Sequence, residues 1–182
     1  MLNKLFALLT FAAGFAVVFV APTFAQVSMN GGKTRIEREV RSEILSLPYY
    51  GVFDAIGYKA DGGTVTLTGY ATRPTTKEAA ENSVKDIEGV TKVVNNIEVL
   101  SALPADYRIR RQTLRALSGG GRLMYYFLGT NPSIRIIVND GKTILEGYVD
   151  NEADKNLANI LARGVPGTFG VTNNLQIVGK AG

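Results

Sequence analysis

From residue 34 onward, apolar and polar positions fall into a helical rhythm, two strand rhythms, a second helical rhythm and a last strand. Ile36, Val40, Ile44 and Leu45 recur at helical spacing behind Thr34 and Glu37, which form a capping box, and Pro48 ends that element. Residues 53–59 and 64–69 are rich in β-branched and aromatic side chains around the turn Asp61-Gly62-Gly63, which predicts a hairpin. Thr75 and Glu78 make a second capping box, and Ala80, Val84 and Ile87 share one face up to a stop at Gly89. Residues 92–100 alternate, with Val93, Asn95, Ile97 and Val99 on one side, predicting a third strand.

The same order recurs from Asp106, with a helix over 107–117, strands over 134–138 and 143–149, a helix over 153–162 and a strand over 171–178. A shift of 78 positions places GGTVTLTGY on DGKTILEGY and matches about ten of the positions 61–99 identically, so the chain is one unit written twice. The second copy carries about five extra residues within 118–130, expected as a loop or an elongated strand. The fold class is therefore α+β: two tandem α/β sandwiches, each helix-strand-strand-helix-strand, with two helices covering a three-stranded sheet. Gly69 and Gly147 are expected to end a strand where the chain turns towards a helix, and Gly89 and Gly167 to stop helices. Asn95 and Asn173 fit turn or edge positions, where side-chain amides satisfy backbone groups; an Asn pair that binds a ligand is the competing reading.

The segment before residue 34 has a different pattern. Lys4 precedes an apolar run over 5–21, followed by Pro22 and Thr23-Phe24-Ala25, which reads as a secretory signal over 1–25 cut after Ala25. The competing reading is a retained anchor. Residues 26–33 form a linker, 34–101 the first domain and 106–179 the second; the short join at 101–105, with Pro104, should hold the two close. With no Cys to carry a lipid, the expected location is the periplasm, as a freely exported protein.

Composition narrows the chemistry. The 182 residues are 46% hydrophobic and 20% charged, enough for packed cores. The absence of Cys and His removes disulfides, thiol nucleophiles, imidazole bases and His-ligated metals. Asp150, Glu152 and Asp154 cluster where they complement a helix dipole. No spacing fits a calcium loop or a phosphate-binding glycine loop, so no catalytic residue, cofactor or metal is expected.

The block VTLTGYATRPTTKEAAENSVKDIEGVTKVVNNIEV, residues 65–99, carries V-x-L-x-G, G-V-x-x-V and N-x-I-x-V. It resembles the BON (bacterial OsmY and nodulation) domain, and YYGVFDAIGY, residues 49–58, looks like the lead-in to it. The second copy is similar but weaker, with Thr168 in place of Val90 and Leu175 in place of Ile97. The resemblance implies a periplasmic or envelope protein with two BON domains, binding phospholipid membranes and supporting the envelope under osmotic or other stress. It implies no catalytic residues.

Charge divides the copies. Residues 34–100 hold 8 basic and 10 acidic groups, and residues 106–182 hold 10 basic and 6 acidic. In the first helix, Arg35 with Glu39 and Glu37 with Arg41 should neutralise one another at i, i+4 spacing. Residues 107–139 contain Arg108, Arg110, Arg111, Arg115, Arg122 and Arg135 and no acid. Arg108, Arg111 and Arg115 share a helical face, while Arg110 falls nearer the packed side and would have to snorkel. After a glycine triplet come Arg122, Leu123, Met124, Tyr125, Tyr126 and Phe127, an apolar-aromatic cluster suited to a headgroup boundary. These nine residues, Arg110 and Arg135 apart, form the expected contact with an anionic phospholipid surface. The bland alternative is a solvated basic helix beside a core-covering segment. A periplasmic chaperone-like module that holds client or envelope proteins is the competing function; nucleic acid is not an expected partner of an exported chain.

Overall fold

The computed structural model describes residues 34–119 and 121–178; the expected signal segment and linker, Gly120 and residues 179–182 lie outside the described residues. The first repeat runs α1 (Arg35–Ser46), β1 (Ala55–Asp61), β2 (Thr64–Ala71), α2 (Pro74–Lys85) and β3 (Lys92–Val99). The second runs α3 (Pro104–Ser118), a 3₁₀ turn (Met124–Phe127), β4 (Ile134–Asn139), β5 (Lys142–Val149), α4 (Glu152–Arg163), β6 (Gly170–Asn173) and β7 (Gln176–Ile177). Each sheet places its hairpin antiparallel and its last strand parallel to the middle one, in the orders β1-β2-β3 and β4-β5-β6, with β7 also on β5. The α+β architecture of two tandem units is as the sequence predicts.

Thr34 caps α1 through the expected box with Glu37. The second expected box does not form: α2 begins at Pro74, whose missing N–H costs nothing at a first helical position, and Thr75 lies inside the helix. Pro104 does the same for α3, so the helix starts inside the expected linker. The strand expected over 171–178 breaks at Asn174-Leu175 into β6 and β7. The described part of the insertion is a loop that contains one 3₁₀ turn, not an elongated strand.

Gly69 and Gly147 lie within β2 and β5, which continue to Ala71 and Val149, and do not end them. Their φ angles are 104° and 112°, and a Cβ would stand 2.1 Å from the Ala55 oxygen or 1.9 Å from the Ser133 oxygen. The neighbouring backbone occupies the space a side chain would need. Gly89 and Gly167 both have φ 88° and sit a few residues beyond α2 and α4, beneath Ile36 and Ile109 respectively.

One core gathers Val40, Ile44, Val65, Leu67, Ala80, Val84 and Ile97; the other gathers Ile109, Leu117, Ile134, Ile136, Leu145, Ala158 and Leu175. The residues joining α1 to β1 cross between them. Phe53, expected in the first strand, instead packs with Val52 against the second core. Asp54, buried, holds that crossing turn by accepting from the Gly51 and Thr72 amides at 2.9 and 2.7 Å.

Candidate functional site

On α3, Asp106, Ile109, Arg110, Thr113 and Leu117 turn inward, and Arg108, Arg111 and Arg115 are exposed. No described carboxylate forms an ion pair with these three guanidinium groups. Tyr107, 57% exposed, stands one turn before Arg111 on the same side. Sequence reasoning placed the aromatic partner of the basic face after the glycines; the 107, 111, 115 spacing was the signal for this one. Beyond Arg115 opens a groove of about 600 Å³ between α3 and α4, lined by Ala116, Ile160, Leu161, Val165 and Pro166, with Ile160 66% exposed.

Arg110 does not snorkel. It is 5% exposed and donates to the carbonyl oxygens of Ser101 at 3.0 Å and Val138 at 2.7 Å, tying the inter-repeat link to β4. Burial pushes its guanidinium below the ordinary value, and the carboxylates of Asp106 and Asp54 draw it back up. Asp106 is itself buried and accepts from the amides of Asp140 and Gly141 at 3.0 and 2.8 Å, fixing the β4-β5 turn to α3. Arg135 is also interior: it donates to the Gly51 carbonyl at 2.7 Å and lies 4.7 Å over the Tyr50 ring.

The segment after the glycines divides. Leu123 and Tyr126 are buried in the second core, and Phe127, half-buried, packs against it; Met124 and Tyr125 are exposed. Arg122 is not free of acid, because it pairs with the buried Asp154. The Tyr126 hydroxyl donates to Asp154 at 2.8 Å and accepts from the Asp150 amide at 2.8 Å, and the Tyr125 hydroxyl donates to Asp150 at 2.5 Å. Asp154 thus does more than complement a helix dipole. Burial alone would raise its carboxyl, but the bonds from Tyr126, Arg122 and Asn151 hold it below the usual range. Of the nine expected contact residues, the outward helical face holds Arg108, Arg111 and Arg115, Met124 is exposed, and Arg122, Leu123, Tyr125, Tyr126 and Phe127 are engaged with the second domain.

The repeated asparagines are structural. Asn95 donates to the Lys77 carbonyl at 3.0 Å and accepts from the Ile97 amide at 3.2 Å; Asn173 donates to the Lys155 carbonyl at 2.8 Å and accepts from the Leu175 amide at 3.2 Å. Each clips the last strand of its repeat to the preceding helix, at the same 78-residue offset as the sequence match.

No group of described residues is arranged to hold a metal, and no described helix is long and apolar enough to cross a membrane. Osmotically-inducible protein Y of Escherichia coli (strain K12) is 27% identical over 122 residues, 66% of this chain and 61% of that protein; the chain thus spans about three-fifths of its length. Solved structures of CdsD, a structural protein of the type III secretion system of Chlamydia trachomatis, align at 15% identity over 81% of this chain and 66% of theirs, TM-score 0.31, and at 14% over 80% and 93%, TM-score 0.29. The family model of the BON domain matches twice, at residues 32–101 and 109–179, one match to each repeat, and the chain belongs to the BON domain family.

Proposed function

We propose that this chain is a non-enzymatic envelope protein whose second BON domain associates with anionic phospholipid surfaces through α3, supporting the envelope under osmotic stress. The observation that carries the reading is the outward row of Arg108, Arg111 and Arg115, which has no described carboxylate partner. Each basic group near an anionic surface contributes about 1 kcal/mol. Tyr107 supplies an amphipathic ring on that face, and the groove beside Arg115 supplies apolar surface without opening the core. The first repeat is the scaffold: Arg35 pairs with Glu39 at 2.9 Å, and its net charge is slightly acidic. Similarity to osmotically-inducible protein Y supports the stress role.

Co-sedimentation with phosphatidylglycerol and phosphatidylcholine vesicles tests the assignment. Binding is expected to require the anionic lipid, to weaken with salt, and to fall about 100-fold in the Arg108/Arg111/Arg115→Ala variant. Equal binding by variant and parent would reject this face. Suppression of client aggregation without vesicle binding would favour the protein-holding function instead.

A further inference from the structure

Between the two repeats lies a cavity of about 340 Å³, with walls from both, including Arg41, Tyr50 and Tyr58 of the first and Glu146, Tyr148 and Asn174 of the second. Its volume is within the range of about 300–1,000 Å³ common for small-ligand sites. Two of its charged groups are left incomplete by the fold. Arg41 was expected to pair with Glu37, but Glu37 closes the cap on Thr34 instead. Arg41 forms no ion pair among the described residues and lies close enough to Tyr50, Tyr58 and Tyr148 to act on their phenols. Glu146 accepts from the Asn174 amide at 2.7 Å and has no cationic partner among the described residues.

We propose that this cleft binds an uncharged saccharide of one or two rings. Its lining holds two basic residues, Arg41 and Arg135, against two acidic ones, Glu146 and Asp150, so it offers no net field to a charged ligand. Arg135 is already committed to the Gly51 carbonyl and the Tyr50 ring, which leaves one guanidinium for an anion, opposed by the Glu146 carboxylate. An acyl chain would strand Arg41 and Glu146 away from water without partners. Sugar hydroxyls both donate and accept, so they can accept from Arg41 and donate to Glu146, while tyrosine rings cover the apolar faces of the pyranose.

The chain has eight tyrosines and no tryptophan, and four of the eight line the cleft, so its intrinsic fluorescence is sensitive to occupancy there. Titration with N,N′-diacetylchitobiose, maltose and inorganic phosphate, with saturation-transfer NMR on the same samples, is expected to show saturable binding of at least one disaccharide and weaker or no binding of phosphate. Glu146→Gln keeps the shape of the acceptor but removes its charge, and should weaken disaccharide binding about tenfold, the loss of one good hydrogen bond. Arg41→Gln, which removes the donor that the first repeat supplies to the cleft, is the second variant and should weaken binding similarly. Absence of saturable disaccharide binding, phosphate binding tighter than either sugar, or unchanged affinity in both variants would overturn the proposal. Vesicle binding by α3 is independent of all three outcomes.

Discussion

The backbone carbonyl of Val52, in the first repeat, accepts a 2.8 Å hydrogen bond from the amide of Ile136, on strand β4 of the second. Strand β4 is the edge of its sheet, and an uncovered edge is an open template for other chains. The contact covers part of that edge, and it carries Val52 and Phe53 onto the second core. Ile137, which faces away from that core, is also fully buried.

The two repeats should therefore unfold together. Phe53→Ala, a change within the first repeat, should destabilise the second by about 2–3 kcal/mol, because the ring leaves a gap against Ile136 and its neighbours. Urea unfolding followed by far-ultraviolet circular dichroism and by amide exchange in β5 should give coincident midpoints, both shifted in the variant. A β5 midpoint unmoved by Phe53→Ala would show that the second core stands without the plug.

Gly69 and Gly147 should be the least replaceable glycines. Alanine at either would drive its Cβ into a neighbouring backbone carbonyl oxygen, that of Ala55 or of Ser133, at a positive φ, and should cost more than about 3 kcal/mol. Gly62→Ala is the matched control: φ is 56° but nothing lies within 4 Å, so the cost should be about 1 kcal/mol from backbone conformation alone. Thermal unfolding of the three variants separates steric collision from conformational strain, and similar losses in all three would refute the collision.

The duplication was legible because periodicity and turn chemistry are local. Asp61-Gly62-Gly63 sets a hairpin with Asp61 opposite Thr64, and the apolar spacing of Val40 and Ile44 marks the buried side of α1. What stayed illegible depends on contacts distant in sequence. Phe53 has the residue type of a strand, yet its partner core is built from residues more than fifty positions later. Arg122 and Tyr126 look like interfacial residues until Asp154, buried at the start of α4, is brought beneath them. An acid-free run along the chain is not an acid-free surface. The basic face of α3 survived because its periodicity alone decides which arginines point outward.

The paired asparagines make a sharper test of the repeat than the glycines. Asn173→Asp keeps the shape but puts an acceptor against the Lys155 carbonyl, and should destabilise by about 1–3 kcal/mol. Asn95→Asp should cost more, since the Asn95 amide also donates to Glu81 at 3.0 Å and the variant would oppose two carboxylates. That excess should shrink on acidification, as one carboxylate takes up a proton. Stability curves at neutral and mildly acidic pH measure it; an excess independent of pH would mean that charge is not its source.

Asp154 and Glu146 should tilt the pH dependence of stability in opposite senses. Asp154 is held below the usual carboxylate range when folded, so the unfolded chain takes up its proton first as pH falls. Its stabilising contribution is complete above that range and is lost as acid approaches the folded value. For Glu146, burial raises the carboxyl, against the pull of Asn174, and the folded chain protonates first. Its contribution therefore declines as pH rises from the ordinary glutamate value through the raised one. Asp154→Asn should flatten the acid limb of the urea midpoint plotted against pH, and Glu146→Gln should remove the decline just above it. If Glu146→Gln left that decline in place, the carboxyl at the cleft would not be the group that titrates there.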